Sequence, residues 1–367
     1  MKITFERGGR DSFAFAVRKN VNAYFKENNI SKRANGAMVF KTVLLIASLV
    51  SFYCLIVFAP VALGVKFAGA VGIGIVQALI GFNICHDAIH GSYSNNKHVN
   101  NVLSKLFNVI GANCYVWKVS HNVVHHTYTN IPDHDSDLDV APNLIKLSHN
   151  GTWRKIMRYQ HLYAFLLYSL TSLFWVFRKD FKKFFEKQIG STDNRNHPKV
   201  EYFNLFFFKI VYYTLFIVVP LMVMEITWWQ FVIGFVASHI AEGAVLGMVF
   251  QLAHVVEGAS FPEPDEEGKI ENCWFEHQMY TTANFGRSSK LTTFLCGGLN
   301  YQVEHHLFPD ICHIHYPAIS EIVKDTAESY GLPYIENKTF GKALASHYRM
   351  LKEFGKPSVA KHEMQMA

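Results

Sequence analysis

The chain has 367 residues, half of them hydrophobic, with 31 phenylalanines and only 17% charged residues. A soluble domain of this length needs more polar cover and less aromatic surplus, so the composition argues against one and points to bilayer-length apolar runs. The net charge of +6 sits in blocks beside such runs, which fits membrane orientation and anionic lipid and gives nucleic-acid binding no support.

In chain order, residues 1–37 form a basic segment with Arg7, Arg10, Arg18, Lys19, Lys26, Lys32 and Arg33. It is too polar for the core of a cleavable signal, and the positive-inside rule places it in the cytoplasm. Two uncharged runs follow, 42–59 and 67–85, separated by Pro60 and Lys66. A second pair covers 203–224, interrupted only by Lys209, and 228–252, with Glu225, Ile226 and Thr227 between. Each run is about one bilayer crossing long, and the short links predict two helical hairpins.

The run 162–177 is shorter. Arg154, Lys155 and Arg158 precede it and Arg178 and Lys179 follow, flanks that suit an interfacial helix. A fifth crossing there would also put histidine clusters on opposite faces of the membrane. The predicted architecture is therefore an all-α integral membrane protein with four transmembrane helices in two hairpins and a cytoplasmic helical cap. The main domain is expected over 38–320 and a cytoplasmic C-terminal segment over 321–367. Six cysteines without CxxC spacing, facing a reducing compartment, predict neither disulfides nor a thiolate metal site.

Nineteen histidines are the chemical signal, because of where they fall. HDAIH (86–90), HNVVHH (121–126) and QVEHH (302–306) place His86 with His90, His121 with His125 and His126, and Gln302 with His305 and His306 at helical spacings of three and four. His86 and His254 each end an apolar run, which sets them at one depth. Any single histidine near a membrane is most simply a packed, hydrogen-bonded residue. Three clusters on one predicted face are better explained by metal binding, because ionisable groups there are costly and functional. His239, in mid-run, reads as a packing residue. His98, His134, His149, His161, His197, His347 and His362 read as surface or interfacial, and His277 and His315 as intermediate.

Eight imidazoles are too many for one first-row ion, which takes about four to six ligands, so two ions are implied. Imidazole without thiolate admits iron, copper or zinc. No HExxH is present, and Asp87 and Glu304 sit where they would orient ligands. A di-iron, oxygen-activating centre is the best chemical reading. The acids Asp133, Asp135, Asp137 and Asp139 lack the glycine and terminal glutamate of an EF-hand. They form either a solvated turn or a brace for the second cluster. His277, Gln278, Asn284, Trp117 and Trp153 are candidates to stand behind the ligands or to touch substrate.

HDAIH, HNVVHHTYTN and NYQVEHHLFP, in this order among two apolar pairs, resemble the membrane-bound fatty acid desaturases over about residues 38–320. Gln302 at the head of the third box resembles the front-end members, and the N- and C-terminal stretches resemble those of bacterial linoleoyl-CoA desaturases. The resemblance implies that His86, His90, His121, His125, His126, His254, His305 and His306 hold two Fe2+ ions, with Gln302 a weak or water-mediated ligand. It also implies O2 as co-substrate, an acyl-CoA or acyl-lipid substrate, and a cis double bond as product. Many front-end relatives carry a fused cytochrome domain with HPGG; NHPKVE here lacks the glycines. A separate donor, ferredoxin or cytochrome, is therefore expected, with both termini and all boxes cytoplasmic at a bacterial inner membrane. The alternatives are a hydroxylase or carotenoid oxidase with the same centre and, more remotely, a membrane haem or metal-transport protein.

Overall fold

The computed structural model describes residues 3–138 and 140–357; Asp139 and His362 lie outside the described residues. α1 (Phe13–Glu27) precedes the long α2 (Gly36–Phe58) and α3 (Leu63–Ile80). α3 continues through a widened π-helical turn, Gly81–Cys85, into α4 (His86–His90). α5 (Lys97–Val109) and α6 (Cys114–Trp117) lead to a second π-helical stretch, Lys118–His125, and α7 (His126–Tyr128). Next come α8 (Gln160–Ser169), α9 (Thr171–Phe174), α10 (Asp180–Phe185), α11 (Lys199–Tyr213), α12 (Val219–Val223) and α13 (Trp228–His254). The remainder holds α14 (Trp274–Thr281), α15 (Lys290–Cys296), α16 (Gln302–Leu307), α17 (Tyr316–Ser329) and α18 (Phe340–Phe354).

The molecule is mostly helical, with no closed sheet among the described residues. An all-α fold nevertheless needs correction in detail. β1 (Thr4–Glu6), β2 (Gln188–Ile189), β3 (Thr192–Asp193), β4 (Lys269–Cys273), β5 (Asn284–Phe285) and β6 (Glu336–Asn337) pair as β1 with β4, β2 with β3 and β5 with β6. Strands of two to five residues are too short to show alternation in the sequence.

Among the described residues four segments are long and apolar enough to cross a membrane: Gly36–Phe58, Leu63–His90, Lys199–Val223 and Trp228–His254. Their outward faces are bare, with Phe40 69%, Phe203 63% and Met222 80% exposed. So much contiguous apolar surface suits lipid and not water, and this is a membrane protein. α2 starts within polar sequence because the Asn35 side chain accepts the Met38 N–H at 3.1 Å, a cap that hydropathy does not register.

Small residues let the helices close up. At Gly74 of α3 a Cβ would stand 2.0 Å from the Ser238 carbonyl of α13, and at Gly243 of α13 it would stand 2.2 Å from the Ser169 carbonyl. The second approach seats α8 and α9 against the C-terminal half of α13. The run 162–177 is thus broken at Leu170 and widens into a π-helical turn at Trp175–Lys179. Lys209, the charge within α11, is buried and donates to Asp180 Oδ2 at 2.8 Å and the Gly111 carbonyl at 2.6 Å.

Outside these helices, Phe13, Val17, Val21 and Phe25 line one face of α1 at four-residue steps. They pack with Phe275, Val303, Ile319 and Val323, tying α1 to α14, α16 and α17. His347 is not a surface residue. It lies on the buried face of α18, where its Nδ1 donates to the Val255 carbonyl at 2.7 Å and Nε2 meets the Tyr168 hydroxyl at 3.1 Å. Its amphipathic helix, which turns Ala343, Ser346, Leu351 and Phe354 inward, carries it there.

Candidate metal centre

The two π-helical turns position the histidines. The first ends at Cys85 and delivers His86 and His90 from the end of α3. The second contains His121 and His125, whose rings stack at 5.0 Å with 20° between planes. An i→i+5 turn carries an extra residue and is frequent at functional sites. Helical spacing therefore places these residues on one face, but the widening that aims them is a tertiary effect. α13 brings His254, and α16 brings Gln302, His305 and His306.

Two pockets result. His86, His90, His121 and His305 offer ring nitrogens that lie within 4.8 Å of one another, and so do His125, His254 and His306. His126 meets His305 and His306 within the same limit and stands between the pockets. Of the eight, only His90 is half-exposed; the rest are buried.

Outside the pockets, most rings are held through Nδ1. His125 Nδ1 meets Asp135 Oδ2 at 2.9 Å, His121 Nδ1 meets Asp137 Oδ2 at 3.2 Å, and His306 Nδ1 meets Gln278 Oε1 at 2.8 Å. His305 Nδ1 is 3.3 Å from the Tyr316 hydroxyl, and His254 Nδ1 is 3.4 Å from the Thr281 carbonyl. An Nδ1–H donated outward leaves the Nε2 lone pair facing inward.

Apart from His254 Nε2 and His306 Nε2, which face the Gln302 amide, those inward atoms lack partners. Nε2 of His90, His121, His125 and His305, and both ring nitrogens of His86 and His126, are buried with no hydrogen bond among the described residues. Each such atom costs about 1–3 kcal/mol unless something satisfies it. Burial and the neighbouring imidazoles hold His121, His126, His305 and His306 well below the usual histidine pKa, so they are neutral. Burial also lowers His125, but Asp135 outweighs it and the net shift is upward. Converging imidazoles, mostly neutral and mostly without inward hydrogen-bond partners, fit a pair of first-row metal ions.

The residues expected behind the ligands divide. Gln278 accepts from His306 and from the Thr129 hydroxyl, and Trp117 stacks on His121 at 4.1 Å. Asp135 and Asp137 brace the second cluster and are no solvated turn. Asp87 keeps Oδ1 3.7 Å from His86 Nδ1 and accepts from His313 Nδ1 through Oδ2 at 2.9 Å. Glu304 accepts from Tyr334 and Asn284, and Asn284 Oδ1 takes the Val303 N–H, so this pair anchors α16. Burial pushes the Glu304 carboxyl up to about 7. His277 Nε2 donates to the Thr129 carbonyl at 2.9 Å and thereby secures the loop after the second cluster. Trp153 is tied to the Gly355 carbonyl at 2.8 Å and takes no place among the histidines.

Sequence reasoning missed His313, Tyr316, Thr129 and Asn130. Asn130, with φ of 57°, donates to the His254, Ser260 and Thr281 carbonyls. The doublet of histidines in CHIHYP was the one visible hint of His313.

Residues 65–338 match the fatty acid desaturase family. This chain belongs to that family. It is 36% identical over 352 residues to an sn-1 linoleoyl-lipid 6-desaturase of Arthrospira platensis, covering 96% of this chain and 94% of the relative. It is 35% identical over 362 residues to the protein of the same name from Synechocystis, with 98% of each covered. An acyl-lipid (8-3)-desaturase of Physcomitrium patens is 33% identical over 94% of this chain and 72% of its own. The protein is thus a desaturase, an oxidoreductase of lipid metabolism.

In this desaturase the histidines border a string of hollows. One of about 70 Å³ is lined by His125, His254, Trp117, Phe250 and, from α10 and the turn before it, Lys179 and Lys183. A smaller one beside His86 shares Trp117, Trp175 and Phe250 with it, and a third, at Gln77, Ser172 and Glu242, shares Trp175 with both. A larger apolar crevice, about 350 Å³ between Tyr53, Phe67 and Trp229, touches none of the histidines.

Proposed function

We propose that the chain is an O2-dependent, front-end acyl-lipid desaturase that adds a cis double bond to a chain already carrying one. The observation that carries this reading is the pair of convergent imidazole pockets, one without inward hydrogen bonds and one met only by the Gln302 amide, beside a narrow string of hollows. Linoleoyl lipid is the first substrate to test, and carbon 6 the position, because two relatives matched over nearly their whole length bear that name.

His86, His90, His121 and His305 would hold one iron, and His125, His254 and His306 the other, with His126 between. Bound there, iron supplies the oxidising power: O2, two electrons from a separate ferredoxin or cytochrome and two protons take two hydrogens from adjacent methylenes, leaving an alkene and two waters. The protein's own part is placement. Asp135, Asp137, Gln278 and Tyr316 fix the rings, so little is reorganised on loading. Trp117, Trp175 and Phe250 wall the hollows and exclude water, and each buried methylene contributes about 0.8 kcal/mol toward setting the chain's register. The Gln302 amide nitrogen lies 3.0 Å from His254 Nε2 and 3.3 Å from His306 Nε2. A half-turn of that amide would present its carbonyl oxygen to the same pocket as a weak ligand.

The four spans then form two hairpins whose shared end carries the histidines, the cap of α1 and α14 to α18 and both termini in the cytoplasm, with α8 and α9 at the interface. The test is gas chromatography of lipids from a bacterial host fed linoleate. The expected result is an octadecatrienoate with a new double bond at carbon 6, absent with His305→Ala although that variant still reaches the membrane. Hydroxylated chains without new unsaturation would overturn the reading.

A further inference from the structure

A separate cavity of about 560 Å³ opens where the start of α2 meets α15. Its polar wall is cationic, with Lys41, Arg287 and Lys290, and its apolar wall includes Phe40, Phe294 and Pro317. None of the eight histidines of the metal centre lines it.

Lys41 is the informative residue. It is only 8% exposed, and its contacts are His313 Nε2 at 3.4 Å and the ring of Phe294 at 4.5 Å. Asp87 beyond it is engaged by His313. Lys209, the other lysine buried in a membrane helix, is neutralised by Asp180 at 2.8 Å. Lys41 has no carboxylate within ion-pair distance among the described residues, and a buried ammonium without an anion is costly. Arg287 pairs with Glu321 and Glu336, yet its Nε is buried without a partner. Lys290 adds an exposed ammonium at the rim.

The surroundings say which anion. Phe40 is 69% exposed, and Phe294 39%, so bare apolar side chains flank a cationic hollow at the end of a membrane helix. A free aqueous anion would have no use for that flank, whereas an amphiphile fits both halves. We propose that this cavity binds the phosphate-bearing headgroup of an anionic membrane lipid, at a site distinct from the acyl channel. The phosphate would meet Lys41, Lys290 and Arg287 Nε, with acyl tails along Phe40 and Phe294. The proposal rests on the membrane reading alone and is independent of which bond is oxidised.

Native mass spectrometry of the full chain in detergent, titrated with phosphatidylglycerol or phosphatidylcholine, tests it. One phosphatidylglycerol should be retained in preference to phosphatidylcholine, and Lys41→Gln or Lys290→Gln should each cut that preference about fivefold, the worth of one lysine near anionic lipid. Lys41→Arg should keep it, as should Lys182→Gln on a distant exposed face. Lys290 is exposed, so its variant remains informative should Lys41→Gln fail to fold. Equal retention of the two lipids, or unchanged preference in the Lys290 variant, would overturn the proposal. So would binding of inorganic phosphate with the same lysine dependence and no lipid preference, which would assign the cavity to a free phosphate.

Discussion

A histidine becomes a metal ligand only when something outside the site decides which nitrogen keeps its proton. In the proposed metal centre that decision falls to Asp135, Asp137, Gln278 and Tyr316. Asp135 bears most, since its oxygens also take the Asn130 and Asp137 N–H groups. Asp135→Ala should lower iron affinity or turnover about 10–100-fold, with Asp135→Asn milder because one acceptor survives. Unchanged iron retention in Asp135→Ala would mean that the ring is held by other contacts. His347 gives a test through stability. Burial outweighs its hydrogen bond to Val255 and lowers it from 6.5 to about 4, so the fold holds it neutral. A depressed value means that its contribution is complete above pH 6.5 and is lost as pH falls toward 4, on the order of 3 kcal/mol in all. Unfolding midpoints in detergent between pH 7 and pH 4.5 should fall less steeply for His347→Gln than for the parent; identical slopes would refute the assignment. The ligand candidates were legible because their residue type and spacing are local. Of the braces, Gln278, Asp135 and Asp137 were named as candidates, but Tyr316 and Asp87's partner His313 were not, because they reach their targets through long-range packing.

At the scale of elements, length and hydropathy reveal the four long helices, since a bilayer crossing is a one-dimensional property of the chain. They miss what depends on a neighbour: the cap at Asn35, the broken run at Leu170, and the π-helical turns that aim two of the three clusters. Lys209 is the clearest case. In the sequence it is a blemish in α11, and in the fold it is half of a buried pair with Asp180, which also takes the Trp175 indole N–H at 2.7 Å. Lys209→Met alone should destabilise by about 3–5 kcal/mol, because it strands a buried carboxylate. The double variant Lys209→Met with Asp180→Leu should recover much of the loss. Thermal unfolding of the two in detergent decides it: equal midpoints would show that the pair contributes no coupling. Gly74 tests the α3 and α13 contact, where leucine must force a carbonyl aside and should prevent stable expression.

For the whole molecule, the arrangement answers a physical problem. An acyl chain is already dissolved in the bilayer, so on the proposed reading the enzyme needs an apolar channel that leads to an oxidising centre kept dry at the membrane's edge. Long helices with bare outer faces provide the anchorage, α13 reaches the centre through His254, and the packed cap of α1, α14, α16 and α17 carries the third cluster. Overall class and chemistry were readable from the sequence; the depth of the hollows and the cationic cavity at Lys41 were not, because no single segment contains them. The central claim is that eight histidines build two metal sites. Metal analysis of the purified, iron-supplied protein measures it most directly: about two irons per chain are predicted, as the ligand count requires, falling in His305→Ala and in His306→Ala. One iron per chain, a haem Soret band, or two irons retained in both variants would contradict it.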